Sequence, residues 1–171
     1  MKYWMAFTVS LLFLIQSCKK ERFYSSDAFY RSYKTWLDFK AANNDSYSYT
    51  QTWSSWTGFS SSMVVQVNNG KVTNRTYKSM GPDEQDRTKI KLYAKWTENE
   101  ETLNTHKGYD ASLTLDEIYD KAKHVWLRMN EDENLIFFEA NNKGMISTCG
   151  YFPKNCADDC FTGVTITEIK N

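Results

Sequence analysis

The spacing of apolar residues changes along this chain, and this change restricts its fold more than any other feature of the sequence. Two segments, 27–43 and 114–129, carry apolar residues three or four positions apart, which is the period of an amphipathic helix. Elsewhere apolar and polar residues mostly alternate, which is typical of half-buried strands. The order is one helix, three or four strands, a second helix and three strands. It predicts an α+β fold, in which an antiparallel β-meander sheet is packed on one face by two helices.

Each predicted helix has one apolar face and a recognisable start. Ser26 or Asp27 can cap the first helix. The second helix opens with a capping box, in which the side chains of Thr114 and Glu117 satisfy free backbone amides. The face of the first helix consists of Phe29, Tyr33, Trp36, Leu37 and Lys40, and that of the second consists of Leu115, Ile118, Tyr119, Ala122, Val125, Trp126 and Met129.

Seven segments are predicted to be strands. In the first of them the odd-numbered residues from 47 to 53 share one face. Asn69-Gly70 is a strong hairpin signal. Residues 78–87, which contain a Gly-Pro pair, are predicted to be a polar connection, and residues 97–112 a mobile surface loop. The predicted strands are 47–53, 63–67, 72–77, 90–96, 135–140, 145–151 and 161–169.

The start of the chain is typical of a bacterial lipoprotein signal peptide. Lys2 is followed by an apolar run over residues 4–15, and then by Ser17 and Cys18. This arrangement predicts cleavage between Ser17 and Cys18, and acyl chains such as palmitate on the Cys18 thiol. The expected partner is therefore a lipid bilayer, and the expected location is the bacterial outer membrane, on a face that the sequence leaves open. The chain divides into a signal peptide at 1–17, a lipidated tether at 18–26 and a single domain at 27–171.

The charge balance excludes one class of partner. The chain has 21 basic and 21 acidic residues and no long run of one sign, so it offers no electrostatic basis for binding nucleic acid. No stretch of the sequence matches a cofactor-binding motif, and we expect no cofactor.

Three cysteines remain after Cys18, namely Cys149, Cys156 and Cys160. In an exported protein they predict one disulfide and one free thiol, and their spacing leaves the pairing open. With the two aspartates between the last two cysteines they could hold zinc. However, no histidine is near them in the sequence and the compartment is oxidising, so we expect no metal site.

The residues that catalysis would need are few. His106 lies in the predicted mobile loop, where we expect a solvated side chain, and His124 lies off the apolar face of the second helix. Asp158 and Asp159 are adjacent, so on a strand their side chains point apart, and they favour a turn instead. Since a nucleophile needs a base within reach and a third group to orient that base, we expect no enzymatic activity.

One aromatic segment has two interpretations. Trp53, Trp56 and Phe59 follow each other closely in a stretch rich in Ser and Gly. On a flexible loop these rings can stack on a sugar, which makes them a candidate site for a glycan or small ligand. Alternatively, they plug the end of the hydrophobic core, because large exposed aromatic patches are rare without a function.

Four motifs follow one another along the chain: Tyr47-Ser48-Tyr49-Thr50, Asn69-Gly70, Thr114-Leu115-Asp116 and Ala157-Asp158-Asp159. Taken in this order, they resemble a bacterial lipoprotein family that is known only as a domain of unknown function. The resemblance spans residues 36–169 and implies an architecture similar to PepSY-like and β-lactamase-inhibitor-protein-like modules, which are helix-plus-sheet binding folds. Members often carry Cys-Phe-Cys in the first hairpin, where this chain has Trp53-Ser54-Ser55-Trp56, so no family disulfide is transferred.

These observations lead to one functional hypothesis and one alternative. We expect a membrane-anchored, non-enzymatic envelope protein that binds a protein or peptide, because an open antiparallel sheet leaves a face or an edge for a partner. The alternative is a surface lipoprotein that binds a glycan or small ligand through Trp53, Trp56 and Phe59.

Overall fold

The computed structural model describes residues 22–171. The predicted signal peptide and Cys18 therefore lie outside the described residues. The predicted order of helices and strands is confirmed for the rest of the chain. The elements are α1 (Ser26–Ala42), β1 (Tyr47–Ser54), β2 (Ser60–Asn68), β3 (Lys71–Pro82), β4 (Ile90–Glu98), α2 (Leu115–His124), a 3-10 turn (Trp126–Arg128), β5 (Asn134–Glu139), β6 (Thr148–Pro153) and β7 (Thr162–Lys170).

All seven strands form one antiparallel sheet in the order β4-β3-β2-β1-β7-β6-β5. The fold is thus α+β, as predicted, but the sheet is not a single meander. It consists of two meanders, β1 to β4 and β5 to β7, which meet where the last strand pairs with the first. The segment between β4 and β5 carries α2, so the chain leaves one edge of the sheet and re-enters at the other.

The two faces of the sheet differ as the alternation in β1 predicts. Tyr47 and Tyr49 are buried, and both helices reach this face. The Trp36 ring of α1 lies 4.8 Å from the Tyr47 ring, and the Leu115 N–H at the start of α2 donates to the Tyr47 hydroxyl at 2.8 Å. The opposite side, which we call the polar face, carries Thr52, Ser62, Lys78 and Lys95, which are paired directly across β1 to β4.

Tyr119 of α2 joins the helices to the second half of the sheet. Its hydroxyl shares a hydrogen bond of 2.7 Å with the Ser32 hydroxyl of α1 and accepts the Ile146 N–H at 2.9 Å. Its side chain is buried, and this burial raises the pKa of Tyr119 to about 12. The phenol therefore stays neutral, and its hydroxyl forms hydrogen bonds with both Ser32 and Ile146.

The second helix begins as predicted and ends earlier. The capping box is present: the Glu117 N–H donates to the Thr114 hydroxyl at 3.3 Å, and the Thr114 N–H donates to the Glu117 carboxylate at 2.7 Å. The α-helix stops at His124 instead of continuing to 129, and a 3-10 turn follows. Because the helical period is lost there, Val125 is exposed instead of lying on the apolar face. Leu37 of α1, also predicted to be buried, is exposed as well.

The structure corrects the segment predicted to be a polar connection at 78–87. Strand β3 continues through Gly81 to Pro82, where it pairs with Lys91 and Ile90 of β4. The Phe59 ring covers Gly81 in a space that a Cβ atom would fill. Opposite this extension, β4 has a bulge at Tyr93. A regular strand would place Leu92 and Trp96 on the same face, because they are four residues apart. The extra residue of the bulge instead places Leu92 on the polar face, opposite Met80, while Trp96 lies on the other face, opposite Tyr77.

Candidate functional site

The tip of the β1–β2 hairpin is a short, well-defined loop. The Ser55 N–H donates to the Phe59 carbonyl at 2.8 Å, and the Gly58 N–H donates to the Ser55 carbonyl at 3.1 Å. Gly58 has a φ of +90°, which favours glycine at this turn. The segment 55–59 is therefore a turn of fixed geometry that presents its side chains outward.

The three aromatic residues predicted as a ligand site diverge from this tip. Trp53 is 49% exposed and Trp56 is 77% exposed, so neither plugs the core. Phe59 lies over Gly81, with its ring 5.4 Å from that of Tyr93. Within residues 22–171, no ring contact joins any two of these three residues. The most exposed surface of the site is therefore the Trp56 ring alone.

A loop from the far end of the chain holds the hairpin tip. The Trp56 indole N–H donates to Asp158 at 2.8 Å, and the Ser55 hydroxyl donates to Asp159 at 2.8 Å. Asp159 has a φ of +45°, which agrees with the turn predicted for this aspartate pair. We call the contact between Ser55-Trp56 and Asp158-Asp159 the clasp. It fixes the orientation of the exposed Trp56 ring.

The cysteines complete the clasp and leave one thiol in the core. Cys156 and Cys160 form a disulfide that closes the loop around the two aspartates. Cys149 is a free, buried thiol in β6, and burial raises its pKa to about 12. The prediction of one disulfide and one free thiol is confirmed in the described residues, and the pairing that the sequence left open is Cys156 with Cys160.

The two histidines are placed differently. His124 is a surface residue beside Asp120, as expected. His106 was expected to be solvated, but it stacks on Trp96 with 4.1 Å between ring centroids, and its Nδ1 lies 2.8 Å from Glu98. Neither histidine has a hydroxyl or thiol nucleophile among its hydrogen-bond partners in residues 22–171.

A buried ion pair organises the loop that contains His106. Arg75 of β3 and Glu98 of β4 are paired across the sheet, both side chains are 0% exposed, and the guanidinium Nε donates to the carboxylate at 2.5 Å. The pKa of Glu98 is held far below its ordinary value, first by Arg75 and then by backbone amides of the loop. Glu98 accepts the N–H groups of Asn104 and His106, so the predicted mobile loop is tied to the sheet.

The sheet has two edges, β4 and β5, and β4 is the longer one. Near its start β4 exposes Ile90 at 60% and Leu92 at 48%. The apolar pattern of the sequence predicts a strand for these residues but does not reveal that the strand lies at an edge. An edge strand with exposed apolar side chains can pair with an added strand.

In residues 22–171 no group of three or more His, Cys, Asp or Glu side chains is placed to hold a metal ion. None of the helices in this part of the chain combines the length and the apolar character that a membrane crossing requires.

Comparison with protein-family models, with curated proteins and with solved structures finds no match to this chain. The resemblance to a lipoprotein family thus remains an expectation from the sequence motifs.

Proposed function

We propose that this chain is a lipid-anchored, non-enzymatic protein of the bacterial cell envelope that binds a protein or peptide partner. The anchor is supported by the sequence from Lys2 to Cys18, and binding is supported by the edge strand β4. The proposed location is the outer membrane, with the acylated Cys18 in the bilayer.

The observation that carries the binding proposal is the exposed apolar start of β4. Within residues 22–171 the strand is hydrogen-bonded to β3 on one side only, so its other side offers unpaired backbone groups. A partner segment in extended conformation adds a strand there, and its alternate side chains cover Ile90 and Leu92. The main chain then provides affinity and the side-chain pockets provide specificity.

A selection from a random peptide library tests this proposal, with the full-length chain in detergent as bait. We expect extended peptides with alternating apolar residues, and we expect Ile90→Lys/Leu92→Lys to abolish their binding, because charged side chains then replace the two apolar ones that the partner covers. The matched control is Leu135→Lys on β5, the other edge strand, which also exposes its leucine. If the selected peptides bind both variants equally, β4 is not the binding site.

The anchor has its own test. Cys18→Ala removes the acylated thiol, so the variant is expected to leave the membrane fraction on alkaline washing, whereas the wild-type chain remains and incorporates labelled palmitate. Retention of the variant would contradict the anchor. Protease treatment of intact cells then distinguishes the two faces of the outer membrane.

A second candidate function is glycan binding, and it is favoured by the exposed Trp56 ring that the clasp holds in one orientation. A fixed aromatic face can stack on a sugar without the entropic cost of ordering a loop. Screening the full-length chain on a glycan array tests this candidate. Trp56→Ala is expected to remove the signal, and Tyr24→Ala, which truncates another exposed ring, is expected to keep it.

A further inference from the structure

A row of polar side chains crosses the polar face of the sheet. In antiparallel strands, directly paired residues have Cβ atoms about 4.5–5.5 Å apart, so side chains that are paired from strand to strand form a continuous line. The ladder supplies such pairs on both sides of the β1–β7 junction. In order from β4 to β6 the row consists of Lys95, Lys78, Ser62, Thr52, Thr165 and Thr148.

Two shallow cavities lie along this row and share the residues Thr52, Trp53 and Ser54. One has a volume of about 380 Å³ and the other of about 260 Å³. Because they meet at the end of β1, they form one trough, which extends from Lys78 on β3 to Phe137 on β5. From β3 to β5 the sheet order β3-β2-β1-β7-β6-β5 contains five gaps between neighbouring strands. With strands about 4.8 Å apart, the trough is roughly 24 Å long, which matches several linked sugars and exceeds one sugar.

One end of the trough is aromatic. The Phe137 ring lies 5.7 Å from the Phe152 ring, which lies 5.1 Å from the Phe161 ring. Phe161 is seated on a pair of glycines, Gly150 and Gly163, where a Cβ atom would come within 2.7 and 2.9 Å of the ring. The glycines therefore create the space for the ring, and the partly exposed Phe137 presents an apolar surface beside the hydroxyls of the row.

The other end of the trough is positively charged. Lys78 and Lys95 are directly opposite each other, an arrangement that is destabilising for like charges. Both are exposed, and neither forms an ion pair or a hydrogen bond within residues 22–171. The aromatic end instead contains Asp159. An anionic group is thus attracted to the Lys78 end of the trough, beside which Lys95 lies, and repelled from the opposite end.

We propose that this trough binds an anionic glycan, an oligosaccharide that carries carboxylates. The aromatic end offers an apolar surface for the face of a sugar ring, the hydroxyls of Thr52 and Ser62 exchange hydrogen bonds with sugar hydroxyls, and Lys78 with Lys95 binds a carboxylate. This inference rests on the second candidate function only for the class of ligand, a glycan. It places the glycan in the trough, whereas that candidate places it on the Trp56 ring, and Trp56→Ala distinguishes the two sites. The occupant is a glycan because hydroxyl donors and acceptors line the trough between its aromatic and its cationic ends.

Calorimetric titration of the full-length chain in detergent with oligogalacturonate, at fixed ionic strength, tests the proposal. We expect saturable binding that Lys78→Met/Lys95→Met weakens roughly tenfold or more, because hydrogen bonds to charged groups are worth about that factor. Phe137→Ala is expected to weaken it as well. The control Lys34→Met/Lys107→Met removes the same charge from exposed positions outside the trough and should leave binding within about twofold. Maltoheptaose, which is neutral, is expected to bind less tightly.

Four results would overturn the inference. Equal weakening by both lysine double variants would show a response to net charge alone. If Trp56→Ala abolished binding and the trough variants left it intact, the glycan would bind at the clasp. Glycan binding would then be supported, and the trough would be refuted as its site. Equally tight, trough-dependent binding of an oligoglutamate peptide would identify an acidic-peptide surface. Absence of glycan binding altogether would refute both the trough and the second candidate function, while leaving peptide binding at β4 untouched.

Discussion

The buried ion pair between Arg75 and Glu98 allows a quantitative test of how the sheet holds the β4–α2 loop. Arg75→Met keeps an unbranched apolar stem but removes the guanidinium, so it leaves the Glu98 carboxylate, which is 0% exposed, without its cation. It also removes the hydrogen bond of 2.7 Å from Arg75 to the Asp110 carbonyl. Removing one partner of a buried pair costs about 3–5 kcal/mol.

We expect the lower end of that range, about 3 kcal/mol, because Glu98 keeps the N–H groups of Asn104 at 2.7 Å and His106 at 2.8 Å. In a chain of this size that loss lowers the melting temperature by roughly 6–12 °C. Urea unfolding followed by tryptophan fluorescence measures the free energy directly. The control Lys34→Met removes an ion pair with Asp38 that is mostly exposed, and should cost only about 0.5 kcal/mol or less.

A second variant separates the charge from the packing. In the Arg75→Met background, Glu98→Gln removes the unpaired charge and retains one carbonyl oxygen, which accepts one of the two loop N–H groups. The double variant is therefore expected to be more stable than Arg75→Met alone. A loss of less than about 1 kcal/mol for Arg75→Met, or a double variant that is less stable still, would refute the reasoning.

Three further predictions follow from buried groups. The pKa of Glu98 is lowered from its ordinary value of 4.5, so the contribution of Glu98 to stability is complete above that pH and is lost as the pH falls toward the folded-state pKa. The urea midpoint should therefore drop below about pH 4, and it should drop less steeply in Glu98→Gln. Cys149, with its pKa raised to about 12, should resist alkylation at pH 8 until urea unfolds the chain, and rapid labelling of the folded chain would contradict its burial. Tyr119→Phe deprives the Ile146 N–H of its acceptor and should cost about 1–3 kcal/mol in the same unfolding assay, whereas an unchanged midpoint would mean that water replaces the hydroxyl.

The parts of the fold that depend on neighbours in the chain could be predicted from the sequence. The alternation in β1 predicts the burial of Tyr47 and Tyr49, since a strand has a period of two, whereas Gln51 and Trp53 on the same face are exposed beyond the helices. The capping box at Thr114 fixes the start of α2, since its partners are three residues apart. The Asn69-Gly70 turn joins β2 to β3, because both residues adopt the positive φ that this turn requires.

The parts that depend on distant contacts could not be predicted. The pairing of β7 with β1 joins the two ends of the chain, and no local pattern records it. The reversal of β4 arises from the bulge at Tyr93, which the apolar spacing of the strand does not reveal.

The candidate sites show the same limit. Trp53, Trp56 and Phe59 are close in sequence, yet the hairpin geometry and the clasp direct them to separate places. The sequence pattern predicts a connection at Lys78, so it does not reveal that Lys78 lies opposite Lys95 in the sheet. The sequence does contain one indication of the trough, namely the excess of Ser and Thr on one face of β1.

Hydrogen–deuterium exchange of the full-length chain, with and without a selected peptide, tests the central claim of partner binding at β4 most directly. Strand addition predicts new protection of backbone amides that is concentrated in 90–98, because groups on the outer side of the edge strand become hydrogen-bonded. Protection confined to the helices, or a bound peptide that leaves the β4 amides exchanging as before, would contradict the account.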